Sequence, residues 1–207
     1  LAKSLQSSDN TSVENLNMKR PVGVVVTSTE WAVLIEENGK TYVVELVDQQ
    51  QKIKGLGVFN PRQTLQDITI GQSVIIGQKE LKRMPVRLPE LSKGMVRRAQ
   101  TIGSKDAGFF LTKLGLGPND AVLEAGIGSG GLSLYIQRVL GKDGVHVTVE
   151  PRAEHADVAL ENLRRASASW SQHPVHHHLE GTLEERAAEA GELVEGFHAV
   201  ILDLPDH

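Results

Sequence analysis

Ala121-Val122-Leu123-Glu124-Ala125-Gly126-Ile127-Gly128-Ser129-Gly130-Gly131 is the stretch on which the fold turns. A short apolar run suits a buried strand, and an acid stands at its end. The glycines that follow permit a tight turn and a close approach of backbone to a ligand. Beyond them Leu132, Tyr135, Ile136, Val139 and Leu140 recur at helical spacing. A helix therefore opens at the glycines, with its unpaired N-terminal amides facing whatever the loop holds. Strand, loop and helix make a cradle for a nucleotide or a related cofactor.

Downstream, Val145 to Glu150 reads as a second strand, Ala153 to Ala168 as a helix with Val158, Leu160 and Leu163 on its apolar face, and Val175 to Leu179 as a third strand. Leu183 to Ala190 reads as a short helix and Ala199 to Asp203 as a fourth strand. Strands alternating with helices predict an α/β doubly wound parallel sheet. Upstream of the loop, Ser104 is expected to cap a helix with the face Phe109, Phe110 and Leu114, ended by Gly115, Gly117 and Pro118.

The N-terminal part has another texture. Residues 1–20 are polar and read as a flexible tail. Residues 21–87 read as a small all-β domain: Val22 to Val26, then Trp31 to Glu36 and Thr41 to Val47 about Asn38-Gly39, a hairpin signal. Short runs follow at Gly57–Phe59, Asp67–Ile70 and Ser73–Ile76. No catalytic triad, metal spacing or glycine loop lies there, so binding, assembly or a structural role are its candidate uses. Residues 88–207 form the cofactor-binding domain.

The chain has 207 residues, 40% of them apolar and 23% charged, with no cysteine. Disulfides and thiolate chemistry are excluded, and a reducing, cytoplasmic setting fits. No apolar run approaches the ~18 residues that cross a bilayer. A net charge of −4 argues against a uniformly basic nucleic-acid binder, yet residues 79–105 carry eight Lys and Arg against two Glu. Such a local excess suits a phosphate backbone, and it equally suits a solvated linker between domains.

Two cofactors compete for the loop. Gly126, Gly128 and Gly131 satisfy G-x-G-x-x-G, and Glu150 lies at the distance of a ribose-binding acid in dinucleotide enzymes. The wider spacing E-x-G-x-G-x-G places Glu124 where it can meet a cationic amino-acid group and would repel a pyrophosphate. That favours S-adenosylmethionine; Glu150 alone identifies only a ribose. His173, His176, His177 and His178 do not make a metal site on this reading, since neighbouring residues on a strand alternate faces.

Four segments, Arg97-Arg98-Ala99-Gln100-Thr101-Ile102-Gly103-Ser104-Lys105-Asp106, Val122 to Gly131, Val149-Glu150-Pro151-Arg152 and Leu202-Asp203-Leu204-Pro205-Asp206, resemble the tRNA (adenine-N1) methyltransferase family in the same order. The resemblance runs from about residue 21 onward and includes a small N-terminal β module. It implies a class I methyltransferase fold and S-adenosylmethionine-dependent methylation of N1 of a T-loop adenine in tRNA. It also implies a homotetramer and further strands after residue 207. Gly126, Gly128, Ser129, Gly130 and Gly131 would wrap the methionine part of the cofactor with Glu124, Glu150 would hold its ribose, and His155 would stand nearby. Gln100 and Ile102 would fall on a loop closing over the site, and Asp203 would be the catalytic acid.

One position departs from the family pattern. Where the family presents an aspartate to the cofactor adenine, this chain has Gly181, within His178-Leu179-Glu180-Gly181-Thr182. Either Glu180 substitutes, or the backbone amides of Gly181 and Thr182 do. A one-residue shift reverses the face of a strand side chain and so argues for the amides. A non-catalytic RNA-binding relative and an NAD-dependent oxidoreductase are the competing functions.

Overall fold

The computed structural model describes residues 31–204. The expected tail, the Val22–Val26 strand and the Pro205-Asp206 end of the D-L-P motif lie outside them.

The Asn-Gly signal is realised first. Strands β1 (Trp31–Ile35) and β2 (Thr41–Glu45) pair antiparallel, Trp31 opposite Glu45 and Ile35 opposite Thr41. Gly39 turns the chain at φ 84°, and Asn38 Oδ1 accepts the Lys40 amide at 2.9 Å. A two-stranded ribbon follows, β3 (Gln51–Ile53) with β4 (Gly57–Phe59), and then the short helix α1 (Pro61–Leu65), capped by Asn60. Strands β5 (Ser73–Ile76) and β6 (Lys79–Met84) complete a sheet of order β2-β1-β6-β5. Ala32, Leu34, Tyr42, Val44, Leu56, Phe59, Leu65, Ile76 and Leu81 fill its core.

Two expectations fail here. Asp67–Ile70 is a turn, not a strand: the Arg83 guanidinium takes the carbonyls of Leu65 and Ile68, which a ladder would need. The basic stretch is also not one linker. Its first six residues are β6, in the interior of the sheet, where Leu81 points into the core, half-buried Lys79 pairs with Glu36 at 2.7 Å, and Lys82 points out.

Helix α2 (Leu88–Gly94) starts with Pro89 in its first turn and ends where Gly94 meets Val43 of β2. Helix α3 (Ser104–Leu114) is capped by Gly103 without a side-chain bond, so Ser104 is its first residue rather than its cap. Its covered side is Ala107, Phe110 and Leu111; of the expected face only Phe110 is covered, while Phe109 and Leu114 face outward.

The remaining elements follow the expected alternation: β7 (Ala121–Ala125), α4 (Gly131–Leu140), β8 (Val145–Glu150), α5 (Ala153–Ser169), β9 (Val175–Glu180), α6 (Leu183–Glu192) and β10 (Ala199–Leu202). All four strands are parallel, in the order β10-β7-β8-β9. One face packs Val122, Ala199 and Ile201 against α3 and α4. The other packs Leu123, Ala125, Val147 and Val149 against α6. On α5 the buried side is Ala156, Ala159, Leu163 and Ala166, with Val158 and Leu160 half-buried.

The β unit is joined to this sheet by shared packing. Trp31 of β1 lies under the guanidinium groups of Arg164 and Arg165 of α5, 5.1 and 5.2 Å from the ring centre. Val43 packs into the cluster formed by Leu91, Met95, Leu134 and Leu163.

Candidate active site

The site is assembled at the carboxyl ends of β7, β8 and β10, where open parallel sheets present their loops. Gly126, Gly128 and Gly130 all have positive φ, 88°, 56° and 78°. Two of them are also places where a side chain has no room. A Cβ on Gly126 would run into the carbonyl group of Asp203, with the carbonyl carbon 2.9 Å away. One on Gly130 would press on the backbone of Ala159 in α5 at 3.3 Å. Gly131 opens α4 and abuts Thr101 and Ile102, so the Gln100–Ile102 segment lies against the start of that helix. Gln100 is exposed and Ile102 half-buried.

Ser129 serves a different purpose from the one its neighbours suggest. It is 1% exposed, and its Oγ accepts the amides of Arg98 and Ala99 at 3.0 and 2.9 Å. Its hydroxyl thus pins the upstream segment to the glycine loop. Asn162, which the motif reading missed, does the same from α5. Its side chain bonds the amide and carbonyl of Val96 and the carbonyl of Ser129, at 3.0, 2.8 and 2.9 Å. The signal was available, because Asn162 is a polar residue on the buried side of a helix.

Glu124 is buried at the N-terminus of α4. Its Oε2 accepts the hydroxyl of Ser133, in the first turn of that helix, at 2.6 Å and lies 3.0 Å from His146 Nε2. The chain's own carboxylate thus lies beside the first turn of α4, a region where a helix favours negative charge, and is held there by a side-chain hydroxyl.

Glu150 closes β8 with its side chain fully covered. Oε1 accepts the backbone and side-chain N–H of Arg152 at 3.2 and 2.8 Å, and Oε2 takes a long bond, 3.4 Å, from the Gly128 amide. Burial would push this carboxyl up, but the Arg152 and Gly128 hydrogen bonds outweigh it and hold the group below the ordinary range. His155, in the first turn of α5, is half-buried, and its Nδ1 is enclosed without a hydrogen-bond partner.

Asp203 follows β10, and its amide donates to the Ala125 carbonyl at 2.9 Å. Burial, and then the negative charge of Glu124, push its carboxyl above the ordinary range.

At the adenine end the two amides are engaged within the protein. The Gly181 amide already donates to the Glu150 carbonyl at 3.2 Å, and the Thr182 amide to Glu185 Oε2 at 2.9 Å in a capping box that opens α6. Neither amide is open to a ligand. A side chain at 181 would start 2.9 Å from Arg186 Nε, so Arg186 fills the space an acid there would need. Glu180 stands in register with Glu150 on the adjacent strand, and paired residues of parallel strands face the same side. Its carboxylate belongs to the face that carries Glu150.

A family model described as the tRNA methyltransferase complex GCD14 subunit matches residues 86–207. Among curated proteins, the chain is similar to tRNA (adenine(57)-N(1)/adenine(58)-N(1))-methyltransferase TrmI of Methanocaldococcus jannaschii, 31% identical over 143 residues, covering 67% of this chain and 48% of that protein. It is 39% identical over 117 residues to tRNA (adenine(58)-N(1))-methyltransferase TrmI of Thermus thermophilus, covering 56% of this chain and 43% of the relative. The chain spans about half the length of the curated relatives it matches.

Two solved structures share the fold. An S-adenosylmethionine-dependent O-methyltransferase of Thermotoga maritima superposes with a TM-score of 0.63 at 21% identity, over 87% of this chain and 64% of that one. The tRNA (m1A58) methyltransferase TrmI of Aquifex aeolicus gives 0.59 at 21% identity, over 86% and 66%. The fold is the class I methyltransferase fold, and the chain belongs to the GCD14 tRNA methyltransferase family.

Proposed function

We propose that the protein of which this chain is part binds S-adenosylmethionine and methylates N1 of a T-loop adenine in tRNA. The observation that carries the cofactor is Glu124. A dinucleotide would bring a pyrophosphate to the N-terminus of α4, where a buried carboxylate is already seated on Ser133. Two anions there repel each other; a carboxylate and an ammonium attract. The residues fit the amino-acid end of S-adenosylmethionine, and they oppose NAD.

In this reading Gly126, Gly128, Gly130 and Gly131 line the amino-acid end, and Glu150 binds the ribose hydroxyls. The ribose takes the place of Arg152, whose side chain is half exposed and free to swing into solvent. Glu180 takes the adenine amino group in place of the blocked amides, and His155, Gln100 and Ile102 lie around the rim. Ser129 keeps the loop in shape. When bound, the cofactor supplies an electrophilic methyl group on a sulfonium.

The protein's remaining work is placement and charge. Adenine N1 is a weak nucleophile, so it must be held in line with the methyl group. Positive charge spreads to N6 as N1 is methylated, and Asp203 accepts a hydrogen bond from N6 or takes its proton. Its raised affinity for protons, caused by burial and Glu124, suits that role. Because N1 of a folded T-loop is engaged, the base is turned out of its stack to reach Asp203. Arg87, Lys93, Arg97, Arg98 and Lys105 offer the phosphate grip.

No helix among the described residues is long and apolar enough to cross a membrane. We place the enzyme in the cytoplasm as a homo-oligomer, which light scattering of the purified protein tests. Calorimetry with S-adenosylmethionine and with NAD tests the cofactor. Binding of the first alone is expected, and binding of NAD in preference would overturn the reading. Incorporation of labelled methyl into tRNA, lost when the T-loop adenine is replaced, tests the substrate.

A further inference from the structure

Behind Glu124 stands a side chain that this chemistry does not use. His146 of β8 is fully buried, and its Nε2 is 3.0 Å from Glu124 Oε2 on the neighbouring strand. Its other ring nitrogen, Nδ1, faces the Gln137 amide nitrogen of α4 at 3.4 Å, and Gln137 is buried as well. An amide nitrogen can only donate, so Nδ1 accepts and the ring proton sits on Nε2, the nitrogen nearer the carboxylate. The contact is one of proximity and charge, since Nε2 makes no aligned hydrogen bond to any described residue. On its far side the ring lies against His176, with centroids 5.3 Å apart.

The carboxylate is loaded unevenly. Ser133 reaches Oε2 from α4 and His146 reaches it from β8, while no described residue hydrogen-bonds Oε1. A single hydroxyl would leave the carboxylate plane free to rotate, whereas two groups arriving from different elements fix it.

We infer that His146 is a positioning residue: by engaging Oε2 of Glu124 it aims Oε1 at the cationic amino group of the cofactor. The inference rests on the reading of Glu124 as the seat of the amino-acid end. It treats the buried imidazole as part of the binding apparatus, acting through Glu124 without touching the ligand itself.

Two probes separate this from a merely structural role. S-adenosylhomocysteine carries the amino-acid end; 5′-methylthioadenosine has the same nucleoside and a thioether without it. In calorimetry, His146→Leu should weaken S-adenosylhomocysteine by about tenfold, the scale of one lost polar contact with a charged group. It should leave methylthioadenosine within about twofold. His146→Gln, whose amide nitrogen can reach the place of Nε2, should restore most of the loss. Should the leucine variant fail to fold, His146→Asn, whose shorter amide cannot reach Glu124, makes the same comparison. Equal loss of both probes, or no loss of either, overturns the inference while leaving the cofactor reading standing. A wild-type protein that binds neither probe overturns the cofactor reading first, and the inference with it.

Discussion

The carbonyl of Asp203 rests on Gly126, leaving no space for even one further carbon between the end of β10 and the start of the glycine loop. The same two elements are tied by the Asp203 amide on the Ala125 carbonyl. The loop that would hold the cofactor and the acid that would face the target base therefore cannot move independently. Gly126→Ala should be damaging on two counts, a left-handed φ and a collision with backbone. Destabilisation of about 2–4 kcal/mol in urea unfolding is expected. A mild, fully active variant would show that the contact yields.

Asp203→Asn keeps the shape of the acid and removes its charge. Methyl transfer to tRNA should fall by at least about a hundredfold, the scale of one positioned acid–base or charge-stabilising group. Cofactor affinity by calorimetry should change little. A variant with near wild-type turnover would remove Asp203 from the chemistry.

The acid limb of the rate profile should report the same residue. Because burial and Glu124 raise Asp203, activity should begin to fall at a pH above the ordinary carboxylate range. Glu124→Gln removes one of the two causes, so in that variant the limb should move to lower pH, even where the rate is reduced. Measurement of kcat against pH at saturating cofactor decides it; an unmoved limb assigns it to another group.

His176 makes the fold sensitive to acid. Burial, and the neighbouring His146, His178 and His177, push its imidazole down to about 3. The unfolded chain takes up this proton below pH 6.5 while the folded chain does not. The stability associated with the neutral ring is therefore complete above 6.5 and declines as pH falls toward 3. The slope approaches roughly 1.4 kcal/mol per pH unit for one such group. Urea unfolding at pH 7 and pH 5 should show the decline, and His176→Leu should flatten it. Equal slopes in the two proteins would place the sensitivity elsewhere.

Asn162→Ala removes three hydrogen bonds that join α5, the segment at Val96 and the glycine loop. It leaves the Ser129 carbonyl and both Val96 backbone groups without that partner. A loss of about 2–3 kcal/mol is expected, together with faster proteolysis near Arg97 and Arg98. Unchanged cleavage there would mean that Ser129 alone suffices to hold the segment.

Periodicity and glycine spacing made the parallel sheet and its loop legible, because both are local properties of the chain. Val145-His146-Val147-Thr148-Val149-Glu150 carries a second pattern. Valine alternates with a polar residue, so one face of β8 is apolar and the other polar although both are covered. On the polar face Thr148 Oγ1 lies 3.0 Å from both His176 and His178, and His146 meets Glu124. Which residues meet across strands depends on register, and register is set by long-range pairing. For the same reason Glu180 looked misplaced by one residue until β9 was aligned with β8. Ser104 is a helix residue and not the cap because Gly103 supplies the extended conformation without a side chain. The strand over Lys79–Met84 was hidden because charge dominated a segment whose single deep anchor is Leu81.

Trp31 beneath Arg164 and Arg165, with Val43 set among Leu91, Met95 and Leu163, bears on how this protein could be rebuilt. A chimera joined at residue 87 would have to supply its own cover for α2 and α5, since the apolar surface there is half owned by the preceding strands. Exchanging the N-terminal unit is thus a problem of matching two halves of one core, with the junction running through side chains rather than through the peptide between Pro85 and Pro89.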